Sequence, residues 1–357
     1  MRYISSPDFR HDGAERIGVL LVNTGTPDSL SVGDVRRYLA AFLGDPRVIE
    51  APRLPWLAVL HGFILRTRPR ASRARYRRIW TERGSPLTAL SQDLRTALSS
   101  ALAQRVLAPF SVELAMLYSS PGVGAALGKL RQAGAQRVLV LPLYPQYCGA
   151  TTGAVYDQVG AELARWRWLP ELRYVSGYHD HPGYIEALRG SVLAHWEQHG
   201  RPQHLLMSFH GIPESYFNAG DPYFCMCHKT ARLLADELML QDNNWSVSFQ
   251  SRVGPARWLQ PYTYEVMRQL PARGITDLGV LCPGFAIDCL ETLEEIDMEN
   301  RAAFLAAGGR RFSYLPALNA AAGHARFLAD LIAQHSQGWT HDELGFSPAG
   351  APRGTSA

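Results

Sequence analysis

The sequence predicts an α/β protein built as two doubly wound, Rossmann-like domains, each on a parallel sheet, with a cleft between them. Three observations carry that expectation. Short apolar runs alternate with helical segments along most of the chain, the pattern of parallel strands covered on both faces. The apolar runs end in Gly, Pro and hydroxyl residues, which places turn-forming loops at the carboxyl edge of each sheet, where ligands bind in open α/β folds. The alternation also starts again after residue 150, and 357 residues suffice for two cores. Residues 1–150, rejoined by 315–340, are expected to form the first domain, with a lip at about 51–80. Residues 151–314 would form the second, and 341–357 a disordered tail.

Ile17 to Asn23 reads as the first buried strand, ending in the loop Thr24-Gly25-Thr26-Pro27. A helix follows from Ser31, which can cap it, to Phe42. The stretch 51–80 joins an apolar block (Leu54, Trp56, Leu57, Val59, Leu60, Phe63, Ile64) to a run of arginines from Arg66 to Arg78. A helix of that kind accepts acidic ligands or lies on an anionic membrane, and it is equally a surface helix with solvated arginines. Ser85-Pro86-Leu87 opens a helix to Leu102, since proline fits a first helical turn. Ser111–Tyr118 is the second strand, a helix begins at Pro121, and Gln136–Tyr144 is the third strand. The loop after it, Pro145 to Gly153, reads as a functional loop or a crossing between domains.

The second series runs through a helix at 151–165, strand 172–176, helix 184–197 and strand 204–210. A helix from about 227 to 240, strand 245–250, helix 262–270 and strand 278–282 follow. A glutamate-rich helix reaches about Ala307, then a short strand at 314–318 and a last helix at 320–334. From Ser336 the chain is rich in Gly, Pro, Ser and Thr, which predicts disorder.

Composition narrows the function classes. A hydrophobic fraction of 46% and a charged fraction of 19% are ordinary for a globular protein, and a net charge of +4 gives no argument for nucleic acid. No phosphate-binding glycine motif occurs; Gly122 and Gly124 lack the third glycine and the later acidic residue. No run of about 18 apolar residues is present, which excludes a transmembrane helix. Met1–Arg16 has no apolar signal core, and the odd set Cys148, Cys225, Cys227, Cys282 and Cys289 gives no disulfide framework. A cytoplasmic protein is expected.

Two stretches carry chemistry. The strand 204–210 ends on His210, followed by Gly211-Ile212-Pro213. A strand-end histidine is by itself most often structural, though its titration range suits proton transfer and its ring ligates metals. Cys282-Pro283-Gly284-Phe285 closes another strand and leads to Glu291, Glu295 and Glu299, spaced four apart on one helix face. Such a row is either a solvated acidic face or an oxygen-lined path for a cation.

Together these stretches resemble the ferrochelatase family. The likeness rests on Ser208-Phe209-His210-Gly211-Ile212-Pro213, Gly220-Asp221-Pro222-Tyr223, Phe249-Gln250-Ser251-Arg252-Val253-Gly254-Pro255, Trp258-Leu259, and Cys282-Pro283-Gly284-Phe285 through Glu291-Thr292-Leu293-Glu294-Glu295. It spans about Ile17 to Leu331 and implies a lyase that inserts ferrous iron, as a substrate ion, into protoporphyrin IX at the end of protohaem synthesis. It makes His210 and Glu291 the central pair for proton removal and metal handling, with Glu295 and Glu299 continuing the path to solvent. Tyr118, Trp258 and Phe285 become pocket wall, and Asn23, Thr24, Gln146 and Tyr147 become loop contacts to the macrocycle. Residues 51–80 become the lip, with arginines for the propionates and a place for peripheral membrane contact. Some members hold a [2Fe–2S] cluster on four thiolates; those that place three in a C-terminal extension differ from this chain, where no cysteine follows Cys289. The cysteines are therefore expected to be buried small residues or free thiols, with an internal cluster around Cys225-Met226-Cys227 as the alternative. Two other functions compete: a chelatase for coproporphyrin III or for cobalt, and a non-catalytic porphyrin carrier.

Overall fold

The computed structural model describes residues 3–4, 16–105 and 109–339. The expected disordered tail at 341–357 and nearly all of the polar N-terminal stretch lie outside those residues. Among them run two four-stranded sheets, parallel throughout. The first holds β1 (Arg16–Asn23), β2 (Phe110–Met116), β3 (Ala135–Pro142) and β4 (Glu171–Tyr174) in the order β2-β1-β3-β4. The second holds β5 (His204–His210), β6 (Trp245–Gln250), β7 (Asp277–Leu281) and β8 (Arg311–Leu315) in the order β6-β5-β7-β8. Every residue of β1 after Arg16 is buried, as a central strand covered on both faces requires.

The two orders are the same topology used twice. In each sheet the second strand lies on one side of the first and the third strand on the other. The connections leaving the first and third strands therefore diverge, which opens a crevice at their carboxyl ends. In the second sheet those ends carry His210 and the segment after Leu281. In the first they carry Asn23 and the loop after Pro142.

The helices follow the predicted spacing with three differences. The crossing between domains comes after residue 150: β4 pairs with β3 from Arg137↔Glu171 to Val140↔Tyr174, so the first sheet keeps the chain through Tyr174. The loop after β3 is thus a sheet-edge loop, and it includes a π-helical turn at Gly149–Gly153. Second, the chain remains packed beyond Ser336. Trp339 is buried under the Arg173 guanidinium at 4.3 Å, and its indole N–H donates to Glu171 at 2.7 Å. Third, the glutamate-rich segment is a π-helix over Glu291–Asn300, continued by a short α-helix, Arg301–Ala306. A spacing rule built on i→i+4 bonds does not anticipate i→i+5 bonding, which is rare and frequent at functional sites.

The lip segment is one helical run with an irregular middle: α2 (Arg53–Val59), a π-turn (Leu60–Ile64) and α3 (Leu65–Ile79). Pro69 lies inside α3 and has no N–H for the Leu65 carbonyl. Arg36, from the helix α1 (Val32–Gly44) that Ser31 caps, donates its Nε–H to that carbonyl at 3.0 Å instead. Leu54 is 80% exposed and Phe63 66%, so the apolar block faces outward at these positions. The last helix, α6 (Ala322–His335), packs on both α4 (Pro86–Arg105) of the first domain and α5 (Pro182–His199) of the second, which ties the halves together.

Candidate active site

His210 ends β5, half-buried, with its ring centre 6.3 Å from that of Trp258 and 6.4 Å from that of Phe285. Its Nδ1 lies 2.6 Å from the Gly211 carbonyl. A carbonyl only accepts, so Nδ1 carries the proton and Nε2 keeps a free lone pair. Gly211 is glycine for lack of space. A side chain there would meet the Gln250 carbonyl at 3.0 Å and the Trp258 ring at 3.1 Å.

The end of β6 joins this histidine to the π-helix. Gln250 is the register partner of His210. Its amide Nε2 donates to the Glu291 carbonyl at 2.8 Å, and its Oε1 accepts from Ser208 at 2.8 Å. The next residue, Ser251, holds the Glu295 carboxylate with both its donors, N–H to Oε1 at 2.7 Å and Oγ–H to Oε2 at 2.6 Å. Ser251 does so in the left-handed backbone region at φ 65°, a conformation uncommon for a side-chain-bearing residue. Sequence reasoning gave Gln250 and Ser251 no role, and no periodicity marks them.

Burial raises the Glu295 pKa, and the nearby Glu291 carboxylate raises it further. The Ser251 bonds and the His210 ring oppose that rise. Glu295 is thus within electrostatic reach of both His210 and Glu291. The consequence for stability has a definite sign. A carboxyl whose folded pKa is raised binds more protons in the folded state, so it costs stability as pH rises above the ordinary carboxylate value. Glu295→Gln, whose amide oxygen still accepts from the Ser251 N–H and whose amide N–H can donate to the Ser251 hydroxyl oxygen after the hydroxyl rotates, should melt at a higher temperature than the parent near pH 7. The gap should close as pH falls to about 4, close to a glutamate's unperturbed value. Thermal melts across that range would show it; a gap that is constant with pH would contradict the assignment.

The start of the π-helix is anchored by Asp288, which is buried. Its Oδ1 accepts from Tyr314 at 2.5 Å, Thr292 at 2.9 Å and the Ala317 amide at 3.3 Å; Oδ2 accepts from Asn319 at 2.7 Å. Asp288→Ala would leave these buried donors unmatched, each costing about 1–3 kcal/mol. Urea unfolding should show a loss of roughly 3 kcal/mol or more; an unchanged midpoint would argue against the anchor.

The remaining predicted residues separate into two sets. Trp258 and Phe285 stand beside His210, and Glu295 lies within electrostatic reach of His210 and of Glu291. Tyr118 is 7% exposed, packs on Phe42 and donates its hydroxyl to Asp45 at 2.8 Å. Gln146, 2% exposed, donates to Thr230 at 3.0 Å and faces the Pro283 carbonyl, clamping the first domain to the second. The Asn23 side chain accepts from the Thr24 amide at 2.8 Å, and the Thr24 hydroxyl is 2.7 Å from that of Tyr144. Tyr147 is half-buried and stands with Arg47 over Gly153. Glu299 is exposed at the outer end of the strip, 3.5 Å from Arg75. Among the described residues no three His, Cys, Asp or Glu side chains converge as a metal site. Of the lip arginines, Arg73, Arg75 and Arg78 bond to protein oxygens, whereas Arg66, Arg68, Arg70 and Arg77 are exposed.

All five cysteines are free thiols; only Cys225 is exposed. Burial pushes Cys148, Cys227, Cys282 and Cys289 upward, away from thiolate. Cys282 lies by Gln250 and Cys289 by Glu291, whereas Cys148 and Cys227 lie near Tyr223 and Asp221. No helix among the described residues is long and apolar enough to cross a membrane.

Comparisons with known proteins agree with this architecture. Among solved structures, the chain resembles SirB from Bacillus subtilis with Fe3+, at a TM-score of 0.52 and 11% identity, over 91% of this chain and 97% of that one; at that identity the likeness speaks for the fold. A ferrochelatase of Thioalkalivibrio sulfidiphilus is 50% identical, covering 97% of this chain and 94% of its own length. One of Nitrosococcus oceani is 49% identical over the same shares. The ferrochelatase family model matches residues 16–336, which take in both sheets, the lip, His210 and the whole π-helix. By that match and by those relatives, the chain belongs to the ferrochelatase family.

Proposed function

We propose that this protein inserts Fe2+ into protoporphyrin IX to form protohaem, with release of two protons. The observation that carries the reading is His210 beside Trp258 and Phe285 and within electrostatic reach of Glu295, to which Glu291 is also near. Metal insertion needs a proton acceptor at the ring centre, and the free Nε2 of His210 is one. It needs a second site that takes up charge as the ion enters, and Glu291 with Glu295 supplies it. It needs flat apolar walls, supplied by Trp258 and Phe285, with Tyr147 at the outer loop. Tyr118, Asn23 and Gln146 stand at the carboxyl ends of the first sheet's strands, held by their own protein bonds. Glu299 is the outermost carboxylate on the ion's route. The exposed arginines of α3 meet propionates, and exposed Leu54 and Phe63 give the lip a peripheral contact with membrane on a cytoplasmic protein. The buried cysteines serve packing, without an iron–sulfur cluster; iron and acid-labile sulfide analysis of anaerobically purified protein tests that.

Assays under anaerobic conditions with Fe2+ and protoporphyrin IX, beside coproporphyrin III and beside Co2+ with a corrinoid precursor, test the reaction. Fastest turnover with protoporphyrin IX and Fe2+ is expected. Preference for another pair would replace the substrate, and tight porphyrin binding without insertion would establish the carrier.

A further inference from the structure

Glu294 is the one glutamate of the π-helix with 0% exposure, and no catalytic requirement accounts for it. Its carboxylate is bonded to α3, the helix that continues the lip. Arg75 approaches Glu294 Oε2 with Nε at 2.7 Å and Nη2 at 2.6 Å, and Arg78 donates Nη1 to Oε1 at 2.6 Å. Both carboxylate oxygens are therefore taken by guanidinium groups three residues apart on one face of α3. Arg75 also reaches Glu299 at 3.5 Å. The two arginines are about half-exposed, with side-chain exposures of 42% and 48%, so water completes their solvation while the carboxylate depends wholly on them.

Elsewhere the π-helix is tied by Gln250 at the Glu291 carbonyl, by Ser251 at Glu295 and by Arg301 at Asp297, and the flank beside Ile79 of α3 is open. There Leu293, Asp297 and Met298 border a cavity of about 570 Å³ shared with Ile79, Arg83 and Leu90. The Arg75 and Arg78 grip is the ionic tie between the π-helix and α3, and it acts with the Gln250 and Ser251 bonds in setting the rotation of the helix. Glu291 and Glu295 ride on that rotation.

We propose that Glu294, clamped by Arg75 and Arg78, is a positioning residue: it fixes the angular setting of the π-helix that brings Glu291 and Glu295 to face His210, and links that setting to the helix of the lip. The inference rests on the metal-insertion reading. Its test uses the full-length protein and variants Glu294→Gln, Arg75→Gln, Arg78→Gln and the conservative Arg75→Lys. Turnover with Fe2+ and protoporphyrin IX is measured beside porphyrin affinity by fluorescence quenching. The expected result is a fall in kcat of about tenfold for Glu294→Gln, with porphyrin Kd within twofold of the parent and Arg75→Lys keeping at least half of the parental kcat. Should Glu294→Gln fold poorly, Arg75→Gln and Arg78→Gln, at side chains that bond Glu294 and are not among the arginines assigned to propionates, carry the same expectation. A kcat within twofold of the parent, or a kcat loss matched by weakened porphyrin binding, overturns the proposal. An inactive parent would instead defeat the metal-insertion reading.

Discussion

His210→Ala is expected to abolish insertion of iron while leaving porphyrin affinity within about twofold. The variant removes the free Nε2 without disturbing β5, since the strand's bonds are backbone bonds in register with β6 and β7. It also leaves Trp258 and Phe285 in place as walls. General acid–base groups contribute typically 10²–10⁴-fold to rate, so kcat should fall by at least about 100-fold. Fluorescence quenching measures binding, and the rise of haem absorbance measures turnover. Full activity would remove His210 from the chemistry. Loss of both turnover and binding would make it a wall residue.

Glu291→Gln should give the second largest loss, about 100-fold in kcat at unchanged porphyrin Kd. The substitution keeps the shape of the side chain and leaves the Glu291 carbonyl free to accept from Gln250, so the helix start is preserved. What disappears is the charge. Glu291 is one of the groups that raises the Glu295 pKa, so its neutralisation should lower the pKa of Glu295 and move any limb of the pH–rate profile governed by that group to lower pH. Residual activity with that acid-ward shift would assign part of the proton traffic to Glu295. A profile displaced to higher pH would contradict the electrostatic link.

Much of the fold was legible because parallel strands announce themselves. The run from Ile17 to Asn23 and the run ending on His210 are apolar, short and stopped by turn formers, and both are strands at the places their composition indicates. The reading of His210, Glu291 and Glu295 as a site came from the family resemblance, with a strand end and a helix face to place them, and Glu295 lies within electrostatic reach of both other groups. The failures have physical causes. A π-helix shares its side-chain pattern closely enough with an α-helix that Glu291, Glu295 and Glu299 look alike in either. The partner that buries Glu294 lies more than 200 residues earlier, on α3, and no local pattern carries that information. Tyr118, read as pocket wall, and Gln146, read as a loop contact, have their polar ends bonded to Asp45 and Thr230, partners too distant in sequence for a local pattern to show. The crossing at 150 was misplaced because β4 is only four residues long and partly exposed, so its pairing with β3 leaves a faint mark.

The most direct measurement is a crystal structure with protoporphyrin IX bound. The ring centre is expected between the His210 Nε2 and the carboxylates of Glu291 and Glu295, with Trp258 and Phe285 against the macrocycle. A porphyrin seated elsewhere, for instance in the cavity beside Leu293 and Met298, with His210 and Glu291 away from its pyrrole nitrogens, would contradict the account.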